Sequence, residues 1–168
     1  MKTILLVEDE AIIAMTESQM LKKHGYEVLT AYNAQNAIEK VTTNSIDLIL
    51  MDIDLGPGKM DGTETAEIIL KDHDIPIVFL SSHTEPEIVE KTEKITSYGY
   101  IVKNSGDTVL LASLKMAFRL FEANQQIKER ENALLGEKER LKEYIEVIEE
   151  RERLDRQRNK HLLTLYEK

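Results

Sequence analysis

The sequence contains no cysteine in 168 residues, which excludes disulfides and thiolate zinc sites and leaves a cytoplasmic location as the expectation. It also lacks a long apolar run. Nothing approaches the roughly 20 residues needed to cross a bilayer, so no membrane partner is expected. The first short run, Ile4 to Val7, meets the charged Glu8-Asp9-Glu10 at once and does not read as a secretory leader. Surplus positive charge is missing too. Residues up to Gly106 hold 18 acidic and 9 basic side chains, the whole of the net −9, and from Asp107 onward there are 13 of each sign. Without a basic surface, direct nucleic-acid contact is not expected. The one local basic run, Arg151 to Lys160, is interrupted by Glu152 and Asp155 and reads as a solvated helix face.

What is present is a globular composition, 42% hydrophobic and 32% charged, at a length that suits one ordinary domain plus an appendage. Apolar runs of strand length alternate with helix-period stretches. Thr3 to Val7 is continuous and apolar, as expected of a strand buried on both faces of a parallel sheet. A helix from about Glu10 to His24 follows, with Gly25 at a left-handed cap position. Glu27 to Ala31 reads as a strand, and Asn33 as the N-cap of a helix through about Thr43. A third strand runs from Asp47 and ends at Asp52. Gly56-Pro57-Gly58 then leads to a helix from about Gly62 to Asp72, and Pro76 to Leu80 is a fourth strand. Thr84-Glu85-Pro86-Glu87 has the form of a capping box, predicting a helix to about Tyr98 that Gly99 ends. Tyr100 to Val102 is a short fifth strand, and Asp107 caps the last helix. Five such units with right-handed crossovers predict a doubly wound, five-stranded parallel α/β sheet.

Ligands of such sheets bind beyond the carboxyl ends of the strands. Those ends hold Glu8 and Asp9 after the first strand, Asp52 on the third, Ser81 and Ser82 on the fourth, and Lys103 after the fifth. A close pair of carboxylates at an effective dielectric near 20 repel by on the order of 4 kcal/mol. A hard divalent cation relieves that repulsion, and Mg²⁺ suits a few carboxylates with retained waters. A lysine ammonium and a serine hydroxyl suit the remaining oxygens of a phosphoryl group, with Asp52 as the nucleophile.

The segments Leu6-Val7-Glu8-Asp9-Glu10, Met51-Asp52-Ile53-Asp54 with Met60-Asp61-Gly62, Phe79-Leu80-Ser81-Ser82 and Gly99-Tyr100-Ile101-Val102-Lys103 together resemble the receiver domain of two-component response regulators. The resemblance covers residues 1 to about 121 and implies the flavodoxin-like receiver fold. It implies Asp52 as phosphoacceptor, Asp9 as a direct Mg²⁺ ligand, Glu8 acting nearby through water, and the backbone carbonyl of Asp54 as a further ligand. Lys103 is expected to pair with phosphoryl oxygens. Ser81 is expected to swing toward the phosphate and Tyr100 to turn inward behind it. The implied partner is a histidine kinase or phosphotransfer protein, and no turnover is expected beyond the protein's own phosphorylation and dephosphorylation.

Two departures stand out. Receivers usually carry a cis proline after the lysine, where this chain has Asn104. A cis bond to a non-proline residue costs about 2.5–4 kcal/mol, so a trans Lys103-Asn104 bond is predicted. The loop after Asp52 is also two residues longer than usual. Around the site, Ser82 reads as a small packing residue, His83 either as surface decoration or as a group near the site that tunes dephosphorylation, and His24 and His73 flank turns.

From Asp107 to Lys168 there is no proline and one glycine, Gly136. This predicts a single helix of about 90 Å at 1.5 Å per residue. Its first turns are expected to pack on the receiver, and 122–168 to form a coiled-coil extension or linker. Leu120, Ile127, Leu134, Leu141, Ile148, Asp155 and Leu162 recur every seven residues and suggest a homodimer seam. The positions four residues on are half polar, so the seam is marginal. His161 lacks the acidic neighbour of a phosphoaccepting histidine. The function expected is therefore a phosphorelay receiver that signals through its last helix. Alternatives are a vestigial receiver acting as a constitutive dimerisation module, or a truncated receiver of a larger multidomain protein. A haloacid dehalogenase-type hydrolase is disfavoured, because that family places its Asp-x-Asp after the first strand.

Overall fold

The computed structural model describes residues 1–57, 60–82, 86–95 and 97–166, with 97 and 162–166 described by backbone alone. Five strands alternate with five helices: β1 (Thr3–Val7), α1 (Ala11–Lys23), β2 (Glu27–Ala31), α2 (Ala34–Thr43), β3 (Leu48–Asp52), α3 (Gly62–Asp72), β4 (Ile77–Ser81), α4 (Pro86–Lys94), β5 (Ser97–Val102) and α5 (Asp107–Tyr166). All strand pairs are parallel, in the order β2-β1-β3-β4-β5. This is the predicted doubly wound sheet.

Strand alternation sends successive side chains to opposite faces, and here both faces are covered. Ile4, Leu6, Leu48, Leu50, Val78 and Leu80 face one way and pack with Ala14 and Leu21 of α1 and Leu114 and Phe118 of α5. Leu5, Val7, Ile49, Met51, Ile77 and Phe79 face the other and pack with Ala37 and Val41 of α2 and Ala66 and Ile69 of α3. Each such aliphatic side chain, taken fully out of water, contributes about 1.5–3 kcal/mol. The continuous apolar strands read from the sequence follow from this double cover.

Local signals set the helix ends. The Asn33 side chain accepts the Asn36 N–H at 2.8 Å, the predicted N-cap. Gly25, at φ +87°, follows α1 in the left-handed conformation that glycine adopts without a Cβ penalty. The N-terminus of α3 carries a capping box, in which Asp61 accepts from the Glu64 N–H and Glu64 accepts from the Asp61 N–H.

One predicted boundary is corrected. The fourth helix does not reach Tyr98 but ends at Lys94, with the Ile95 N–H turning back to the Thr92 carbonyl at 3.1 Å. Tyr98 and Gly99 belong to β5, because an aromatic and β-branched run gains more from pairing with β4 than from extending a helix. The register pairs Ser97 with Ile77 but Gly99 with Val78, so Tyr98 is an extra residue in a bulge. Its ring packs edge-on against Phe121, with centroids 5.5 Å apart. The Thr84–Glu87 capping box falls partly on residues 83–85, outside the described residues, as does His83.

The chain divides into two compact units, Met1–Glu122 and Ala123–Lys168. The second is helical through Tyr166, and its seam residues Ile127, Leu134, Leu141 and Ile148 are exposed, while the Leu162 side chain lies outside the described residues. Ion pairs such as Arg153–Glu150 at 2.8 Å and Arg158–Asp155 at 2.9 Å lie along its surface. Among the described residues no helix is long and apolar enough to cross a membrane.

Candidate functional site

The sheet register brings the strand ends to one edge: Val7 lies opposite Met51, Asp52 opposite Leu80, and Ser81 opposite Val102. Strand order reverses between β1 and β3, the position where doubly wound sheets open a crevice. Glu8, Asp9 and Asp52 therefore meet there, and one ligand oxygen from each lies within 4.8 Å of the others. Glu8 and Asp52 are buried, while Asp9 is half-buried.

Among the described residues, one cation answers this charge. The Lys103 ammonium donates to Glu8 Oε2 and to Asp52 Oδ2, at 2.7 Å in each case. The Lys103 backbone N–H donates to the Ser81 carbonyl at 2.8 Å, tying the start of the loop after β5 to β4. The other Asp52 oxygen, Oδ1, accepts the Asp54 N–H at 3.2 Å. Burial raises the Asp52 carboxyl to about 6, with the Glu8 charge adding to the rise and the Lys103 hydrogen bond resisting it. For Lys103 the balance is reversed: burial lowers its pKa, but the bonds to Asp52 and Glu8 outweigh that and hold it above the ordinary lysine value. The two statements describe one pair. Lys103 stays charged, and Asp52 remains short of full compensation.

That shortfall is the test of whether a metal fits. Three carboxylates against one ammonium, with oxygens inside 4.8 Å, form a hard oxygen donor set that a divalent cation would neutralise. Glu8, Asp9 and Asp52 are the residues placed to hold it.

Ser81 is buried at the end of β4, and Tyr100 is half-buried on the face that carries Phe79. Ser82 is exposed and does not pack, a correction to the sequence reading, since the alternation that buries Ser81 turns its neighbour outward. The Lys103-Asn104 peptide is trans, as predicted, and Asn104 takes φ +65°, a left-handed conformation that asparagine tolerates better than most residues. In the long loop after Asp52, Gly58 and Lys59 lie outside the described residues. The loop closes on the Ile53 carbonyl, which accepts the Gly62 N–H at 2.8 Å.

The response regulator receiver domain family matches residues 4–115. The chain belongs to that family. The chain is 29% identical over 146 residues to the transcriptional regulatory protein PdtaR of Mycobacterium tuberculosis, covering 86% of this chain and 70% of that protein. It is 48% identical, at a TM-score of 0.68, to the N-terminal domain of a response regulator/sensory box/GGDEF three-domain protein from Carboxydothermus hydrogenoformans, covering 73% of this chain and 98% of that one. A chain in which amino acids 181–211 of the yeast Spc42 trimeric coiled coil are fused to another solved structure is 44% identical at a TM-score of 0.73, covering 86% of this chain and 96% of the fusion.

Sequence reasoning passed over one residue at the receiver's site. Glu17 of α1 has its Oε2 buried with no hydrogen-bond partner among the described residues. Burial raises its carboxyl to about 7, with Glu8 and Asp52 adding to the rise and Lys103 opposing it. The signal was available: Ala14, Ser18 and Leu21 are the buried positions of α1, and an acid three residues after Ala14 points toward the same side.

Proposed function

We propose that the receiver accepts a phosphoryl group on Asp52 from a histidine kinase or phosphotransfer protein. An Asp52 carboxylate oxygen attacks phosphorus, the bond to the donor breaks, and its electron pair leaves on the donor. Mg²⁺, when bound by Glu8, Asp9, Asp52 and the Asp54 backbone carbonyl, would neutralise the charge that builds on the transferring group. Lys103 exchanges its Asp52 contact for a phosphoryl oxygen, the Ser81 hydroxyl donates to another, and Tyr100 follows Ser81 inward. The single observation that carries this reading is the buried Asp52 carboxylate held 2.7 Å from Lys103 beside two further acids. The added charge biases two pre-existing arrangements of the domain rather than creating a new one. The output passes through α5, whose apolar seam at Ile127, Leu134, Leu141 and Ile148 is suited to a homodimer or to a following domain.

The test is incubation of the protein with Mg²⁺ and acetyl phosphate or beryllofluoride, beside Asp52→Asn, with intact mass and solution molecular weight recorded. A Mg²⁺-dependent adduct absent from Asp52→Asn is expected. No adduct on the wild type would overturn the phosphoacceptor reading and favour a vestigial receiver acting as a dimerisation module.

A further inference from the structure

Beside Lys103 a cavity of about 460 Å³ opens between α1 and the loop that follows β5. Ile12, Met20 and Ile101 give it an apolar wall, while Glu17, Lys103 and Asp107 supply its charges. An apolar cavity is a costly place for a carboxylate oxygen without a partner. Glu17 Oε2 is such an atom. Glu8 and Asp52 face the same neighbourhood from the ends of β1 and β3, so among the described residues three carboxylates lie around the ammonium of Lys103, which bonds two of them.

We infer that Glu17 is a second acceptor for the Lys103 ammonium, competing for it with the phosphoryl group on Asp52 and so limiting the lifetime of that adduct. The inference rests on the proposed function. Its physical reason is a count of acceptors. Lys103 now bonds Glu8 Oε2 and Asp52 Oδ2, two of the carboxylates best placed to hold a cation. If Glu8 and Asp52 offered oxygens to a divalent ion, each would hold the ammonium less strongly, and Lys103 would turn to other acceptors. A phosphoryl oxygen is one candidate. The unpartnered oxygen of Glu17, lining the same cavity, is the other, and the flexible four-carbon lysine stem makes such a change of partner inexpensive. The raised pKa of Glu17, which Lys103 alone of the nearby groups pulls down, agrees with a carboxyl awaiting a cation. Glu17 is thus a positioning residue: it acts on the phosphoryl group only through Lys103.

The experiment compares the decay of the phosphoryl adduct on the wild type, Glu17→Gln and Glu17→Asp, together with carboxyl ¹³C NMR of Glu17 during Mg²⁺ titration of the unphosphorylated protein. Glu17→Gln keeps the side-chain size and removes the charge, so its adduct should decay about three- to ten-fold more slowly, the effect of one nearby charge on one contact. Glu17→Asp restores the charge and should return decay toward the wild-type rate. Mg²⁺ should move the Glu17 carboxyl signal in the wild type and leave it largely unmoved in Lys103→Gln. Decay of Glu17→Gln at or above the wild-type rate overturns the inference, as does an equal NMR shift in Lys103→Gln. If the wild type forms no adduct, the phosphoacceptor reading fails, and the NMR comparison still decides whether Glu17 takes up Lys103.

Discussion

Lys103 Nζ lies 2.7 Å from Glu8 Oε2 and 2.7 Å from Asp52 Oδ2, one ammonium shared between two buried carboxylates. Breaking a buried pair by removing one partner costs about 3–5 kcal/mol, because the remaining charge stays out of water. Lys103→Met is therefore expected to destabilise the receiver by about 3–5 kcal/mol near neutral pH. The loss should shrink toward pH 5, where Asp52, already raised to about 6, takes up a proton and no longer needs the ammonium. Urea unfolding at the two pH values checks this, and an equal loss at both would remove the electrostatic explanation.

Gly62 makes a second demand on the same site. A Cβ placed on it would overlap the Asp52 carbonyl oxygen, with the Asp52 carbonyl carbon at 2.9 Å and the Ile53 Cα at 3.0 Å, all of it backbone that cannot yield cheaply. Gly62→Ala should cost about 3 kcal/mol or more, a value reserved for backbone clashes and other named defects. Gly136 is the contrast, because a Cβ there meets nothing within 4 Å. Gly136→Ala, at a half-buried position inside the helix, should stabilise helical structure by about 0.5–1 kcal/mol. Denaturant unfolding of the two alanine variants should give opposite signs, and a Gly62→Ala protein as stable as wild type would refute the close approach.

Much of this was legible in the sequence because buried parallel strands leave long apolar runs and their ends carry the acids. Leu48 to Asp52 shows both, five residues all buried and the last one an acid. The end of α4 was not legible, since Gly99 reads as a helix stop in one dimension while its actual setting, opposite Val78 across a bulge, is a property of the sheet. Nor was the sharing of Lys103 between Asp52 and Glu8, which depends on residues 51 and 95 positions away. Glu17 escaped for a related reason: helix periodicity placed it near the buried face, but only the fold shows what it meets there.

The two raised carboxyls give the receiver a pH signature. Both Asp52 and Glu17 titrate higher in the folded protein, about 6 and about 7, than their ordinary values of 3.8 and 4.5. The folded state therefore binds more protons than the unfolded state between those limits, and stability contributed below about pH 4 is lost as pH rises toward 7. Metal-free protein should unfold more easily at pH 8 than at pH 5. Glu17→Gln should remove part of that slope and raise stability at pH 8 by about 1–3 kcal/mol, given 1.36 kcal/mol for each pKa unit. Thermal melts across pH 4–8 measure it; a Glu17→Gln curve parallel to wild type would show that Glu17 is not perturbed.

The second unit offers the last prediction. Ile127, Leu134, Leu141 and Ile148 are 53%, 64%, 56% and 57% exposed in the single chain, seven residues apart, which is costly for aliphatic side chains unless another helix covers them. Self-association through this seam should buried-match each residue to its copy, so a charge introduced once in the chain enters the interface twice. Leu141→Glu should weaken association by about 100-fold or more, equivalent to about 2.7 kcal/mol. Glu139→Gln, two positions off the seam, should leave it unchanged. Sedimentation equilibrium of the wild type and the two variants distinguishes the outcomes. Loss of association in Leu141→Glu alone assigns it to the helix, whereas an unchanged oligomer in that variant moves the contact to the receiver surface and leaves the long helix as a linker.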